Sequence, residues 1–126
     1  MLYEAMRVGA ADGAVLGTIH GGGGESVRER VVTDLGVPET AFADTDLVVT
    51  LEAYDDGEGR KRRLRAIEEV RRTADGVGFE TIATEGSLSL EDARTLSSLA
   101  GPAESVADVG TEIERTAAEL AGRCRC

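Results

Sequence analysis

The chain has 126 residues, of which 41% are hydrophobic but only 3% aromatic. That is enough for one domain, with a core that must be aliphatic and thin. Acidic residues outnumber basic ones 24 to 14, giving a net charge of −10, which argues against nucleic-acid binding through clustered cations. Lys61 is the sole lysine; a strongly acidic, arginine-preferring surface points to a halophilic chain kept soluble by screening, with a GC-rich genome as a partial rival for the arginine bias.

No apolar run approaches the ~20 residues of a membrane span, and the N-terminus lacks a basic-then-apolar signal segment, so a cytoplasmic location is expected. "LYEAMRVGAADG" reads as a helix with Leu2, Ala5 and Met6 on one stripe and Asp12-Gly13 as its exit turn. "AVLGTIH", residues 14–20, is short, apolar and partly β-branched without alternation, the pattern of a strand buried on both faces. The run "GGGG" then leads into "ESVRERVVTDLG", a helix with Val27, Val31, Val32 and Leu35 on its apolar side and Gly36 at its end. Helix, buried strand, loop and helix make an α/β organisation.

Three strand-like runs follow: "DLVVTLEAY", "RRLRAIEEV" and "GVGFETIA". The first two are joined by "DDGEG", a good hairpin connection, so an antiparallel meander is expected. Leu90, Ala93, Leu96 and Leu99 recur at helical spacing, as do Val106, Val109, Ile113, Ala117 and Leu120, with Gly101-Pro102 between the two C-terminal helices. The last helix either packs on a partner or docks on the meander. The basic run Arg60–Arg72 either contacts phosphates or an acidic neighbour, or forms a solvated edge-strand surface. Cys124 and Cys126, one residue apart at the terminus, are poor disulfide partners and cannot fill a structural zinc site, so free thiols and no metal are expected.

His20, the only histidine, stands at the end of the expected strand. Ligands of open α/β sheets bind beyond the carboxyl ends of the strands, and alternation sends Thr18 and His20 the same way. A hydroxyl and an imidazole there, followed by backbone free of Cβ atoms, could hydrogen-bond a phosphate or orient a catalytic carboxylate; the alternative is a surface histidine in a linker. The glycines are not a Walker A loop, since Gly24 is followed by Glu25-Ser26 rather than by lysine. No nucleophile motif, G-x-G-x-x-G fingerprint or H-E-x-x-H occurs in a suitable context.

"LYEAMRVGAADGAVLGTIHG" closely resembles the segment after Walker B in the type II/IV secretion system ATPases, motors of secretion and archaeal pili, especially those of halophilic archaea. "TDLVVTLEAY" and "RRLRAIEEV" resemble that family's next hairpin, and the likeness covers residues 2 to about 70. The resemblance implies the C-terminal part of a RecA-like P-loop ATPase core. It assigns residues 1–72 to that portion and leaves 73–126 as an extension of one strand and two helices. It makes Thr18 and His20 the catalytic His-box residues, with Gly17 and Gly21 keeping the backbone close to nucleotide. For the intact family it implies ATP and Mg²⁺, a homo-hexamer and a membrane platform protein. The family's Walker A loop, Asp box and Walker B carboxylate precede the matching segment and have no counterpart among these residues. Met1 is therefore expected to be an internal or misassigned start, or the scar of a broken gene, and the chain alone is expected to bind no cofactor and hydrolyse no ATP. A non-catalytic halophilic α/β interaction module is the alternative.

Overall fold

The computed structural model describes residues 15–91, 93–99 and 105–123. The expected N-terminal helix and both cysteines lie outside them. The chain divides into two compact units between Leu88 and Ser89, and the described elements make it an α/β protein with one antiparallel sheet.

In the first unit, helix α1 spans Gly24–Glu29 and passes into a π-helical turn over Arg30–Asp34. Val31, Val32 and Thr33 place three β-branched side chains in succession there, which crowds the tighter α geometry. Val31 is buried, and the left-handed Gly36 (φ 68°) turns the chain so that the Val37 amide donates to the Val31 carbonyl at 3.1 Å. Pro38 opens the short helix α2, Glu39–Phe42, and Phe42 is completely buried.

Strands β1 (Leu47–Asp55), β2 (Arg60–Thr73), β3 (Gly76–Thr84) and β4 (Ser87–Leu88) pair antiparallel in chain order, as the three strand-like runs lead one to expect. The Asp55 and Asp56 carboxylates accept from the Gly57 and Glu58 amides at 2.9 and 3.0 Å to close the β1–β2 turn. Two register shifts, at Thr50/Leu51 and at Ile67/Glu68, leave Arg65 and Ile82 as the extra residues. The register places Val48, Thr50, Ala66, Glu68, Val70 and Phe79 on one face and Val49, Leu51, Leu64 and Ile67 on the other. The first face carries the helices: the Phe42 and Phe79 rings meet edge to face at 6.2 Å between centroids. On the second, Val49 and Leu51 are exposed, whereas Glu69 and Ala83 are buried.

Two expectations are corrected. Residues 15–20 form no strand; all six are exposed, with Leu16 at 95%. A strand buried on both faces needs partners for its amides and carbonyls on each side, and none of the four strands pairs with this segment. The basic run is an edge only in part: it is β2, which lies between β1 and β3, but residues 66–69 alone pair on both sides, whereas residues 60–64 pair only with β1, and Arg60 to Arg63 are exposed.

The second unit contains α3 (Arg94–Leu99) and α4 (Val106–Arg123). Ser105 and Asp108 form a reciprocal cap at the start of α4: the Ser105 amide and hydroxyl donate to the Asp108 carboxylate at 2.8 and 2.7 Å, and the Asp108 amide donates to the Ser105 hydroxyl at 3.2 Å. Val106, Val109 and Ile113 form its half-buried stripe. No helix among the described residues is long and apolar enough to cross a membrane.

Candidate functional site

The candidate site is the loop carrying Gly17, Thr18, His20 and Gly21, and its geometry is set by the glycines that follow. Gly23, at the N-cap of α1, has φ 156° and ψ −179°, a backbone state essentially confined to glycine. Gly24 is buried against the Phe79 ring, and a Cβ there would lie 2.6 Å from Phe79 Cε1. At Gly21 a Cβ would come within 2.9 Å of Val27 Cγ2, so the loop folds back tightly on α1. Gly22 is different: a Cβ would meet nothing within 4 Å. Close contacts therefore demand glycine at 21 and 24, and the backbone conformation demands it at 23.

Three hydrogen bonds fix the loop. The Gly22 amide donates to Ser26 Oγ at 3.0 Å, the Arg30 guanidinium donates to the His20 carbonyl at 3.1 Å, and the Gly24 amide donates to Glu68 Oε2 at 2.6 Å. The last bond crosses 44 residues and ties the loop to the centre of the sheet. Arg28 braces α1 against α2: it donates to Glu25 and, at 2.8 Å, to Glu39. Those hydrogen bonds, the one to Glu25 foremost, hold its guanidinium pKa above the ordinary arginine value.

Gly17, Thr18, His20 and Gly21 are all exposed. The Thr18 hydroxyl and the His20 imidazole make no hydrogen bond with the described residues, and their common direction no longer follows, because strand alternation is absent from residues 15–20. Only the backbone of His20 is held. A shallow hollow at the β1–β2 hairpin, lined by Ala53, Tyr54, Asp55 and Arg60, includes none of these residues. Among the described residues no cluster of His, Cys, Asp or Glu could hold a metal ion.

Four of the seven cations of the basic strand pair with neighbouring carboxylates. Lys61 pairs with Asp56, which holds that carboxyl below the usual aspartate range. Arg63 reaches Glu52 at 2.7 Å and Glu85 at 3.3 Å while lying over the Tyr54 ring. Arg71 donates to the buried Glu69 at 3.0 Å, and Arg72 pairs with Asp44. These pairings favour the reading of this run as a solvated structural surface over a phosphate-binding one.

Glu68 was not foreseen among the site residues. Its signal in the sequence is that the only two acids of the basic stretch, Glu68 and Glu69, stand together at its apolar centre. No family model, curated protein or solved structure matches the chain.

Proposed function

We propose that this chain supplies the His-box portion of a type II/IV secretion system ATPase, with a RecA-like core completed by residues it does not itself contain. In this reading His20 addresses the γ-phosphate side of an ATP site, or the carboxylate that activates water, and Thr18 assists it. The observation that carries the reading is the order of its pieces: the segment ending in "GTIHG", the glycine-opened helix α1, and the hairpin of "TDLVVTLEAY" with "RRLRAIEEV". The antiparallel pairing of β1 with β2 is consistent with that order. Exposed Val15, Leu16 and Ile19 beside His20 are what a segment awaiting strand neighbours would present. By itself the chain holds no phosphate-binding lysine loop or Walker B carboxylate, and phosphoryl transfer depends on positioned phosphates, Mg²⁺ and an oriented water. Inactivity in isolation follows. In the complete motor, ATP hydrolysis in a hexameric ring against a membrane platform protein would power pilus assembly or secretion.

The test restores the missing residues. The chain is fused behind a family fragment that ends at its Walker B carboxylate, and Mg²⁺-dependent ATP turnover is measured at molar salt. Turnover by the fusion but not by this chain, with His20→Ala lowering the rate at saturating ATP and leaving nucleotide binding nearly intact, is the expected result. A fusion that turns over ATP equally well with alanine at position 20, or fails to turn it over, refutes the assignment.

A second reading, a non-catalytic interaction module, is favoured by one observation. Val49 and Leu51 stand 56% and 60% exposed on the same face of β1, adjacent apolar side chains that a partner could cover.

A further inference from the structure

We propose that Glu68 is a positioning residue for the His20 loop. The assignment rests on the reading of His20 as a site residue, and it begins from an anomaly in helix capping. Helices usually begin with a local cap, a Ser, Thr, Asp or Asn side chain accepting from an amide of the first turn. Helix α1 begins with Gly23 and has no side-chain cap from that residue. Its first-turn amide at Gly24 is instead taken by Glu68 Oε2, from the middle of β2, at 2.6 Å. A carboxylate accepting from a helix-start amide is a charge-assisted bond reinforced by the helix dipole.

The exchange of a local cap for a distant one has a positional consequence. A local cap would stabilise α1 wherever the helix lay. The Glu68 cap stabilises it only where it meets β2. Glycine at position 24 makes that approach possible: Gly24 has room on Phe79 only because it lacks a Cβ. From this anchor the chain runs back through Gly22, held by Ser26, to the His20 carbonyl, held by Arg30. Ser26 belongs to α1 and Arg30 to the π-helical turn that continues it, so they fix His20 relative to the helix. Glu68 fixes the helix end relative to the sheet, and thereby sets where the imidazole is carried.

The chain offers a clean probe, because its single histidine gives unambiguous imidazole NMR signals. The full chain is studied at molar salt as wild type, Glu68→Ala, Glu68→Gln and Glu68→Asp, with Glu80→Ala on the other face of the sheet as control. Glu68→Ala is expected to speed Gly24 amide exchange about tenfold or more and to move the His20 ring resonances. Glu68→Gln, which keeps an acceptor at the same reach, should leave the His20 signals close to wild type. Glu68→Asp, one methylene shorter, should displace them as alanine does. Unchanged Gly24 exchange and His20 resonances in Glu68→Ala overturn the proposal. If that variant does not fold, the contrast between Gln and Asp decides, and identical behaviour of the two overturns it. The measurement involves no nucleotide, so its failure is distinct from failure of the motor reading, which is judged by turnover of the fused chain.

Discussion

Gly24→Ala and Gly22→Ala are the same chemical change two residues apart, and the structure makes the first destabilising and the second nearly neutral. In the first turn of α1, alanine is favoured over glycine by up to about 1 kcal/mol, because it restricts the unfolded chain and suits the helix. Against this, the Cβ at position 24 would sit 2.6 Å from Phe79 Cε1 and 2.8 Å from Phe79 Cγ, whereas carbon atoms rest at about 3.5–4.0 Å. The ring must therefore give way by roughly 1 Å, and it is held by its edge-to-face contact with the fully buried Phe42. Moving the helix instead lengthens the Gly24–Glu68 bond. Overpacking of this kind costs about 1–3 kcal/mol, so Gly24→Ala should be net destabilising even after the helix gain. For a unit of this size each kcal/mol lowers the melting temperature by about 4–8 °C. Gly22→Ala, with open space around the new methyl, should melt within a degree or two of wild type. Thermal melts followed by circular dichroism at molar salt compare the three proteins. A Gly24→Ala protein as stable as wild type would refute the argument that packing on Phe79 requires glycine there.

Salt and acid supply two further predictions. With a net charge of −10, raising the ionic strength from 0.1 M to 1 M shortens the screening length from about 10 Å to about 3 Å. The loss of carboxylate repulsion should outweigh the weakening of exposed pairs such as Arg63–Glu52 and Arg115–Glu112, so the melting transition should move up and sharpen; a melt unaffected by salt opposes the halophilic reading. In acid, the carboxyls of Asp108, bonded by Ser105, of Asp56, paired with Lys61, and of Glu112, paired with Arg115, are all held below their ordinary values. Each contribution is complete above the unfolded-state value of about 4 and is lost as pH falls through the lower folded one. Helicity of α4 should therefore persist to more acid pH in wild type than in Ser105→Ala, as followed by circular dichroism and carboxyl NMR shifts; coincident titrations would count against the cap.

The sequence by itself determined the meander and the helix of residues 106–123. The "DDGEG" turn, the β-branched runs and the helical spacing of Val106, Val109 and Ile113 are local signals, because turn chemistry and side-chain periodicity act over a few residues. It also singled out the His20 loop, through one histidine and four glycines. What it left undecided depends on partners distant in the chain. Residues 14–20 have the composition of a buried strand, but whether such a segment pairs is decided by neighbours on either side, and in the described structure residues 15–20 have none. The basic run could be read as an edge because its charges are visible in the sequence, while the register of β3 against it is not. Glu68 was hidden for the same reason: its role depends on an amide 44 residues earlier, and only the packing of α1 on Phe79 brings the two together.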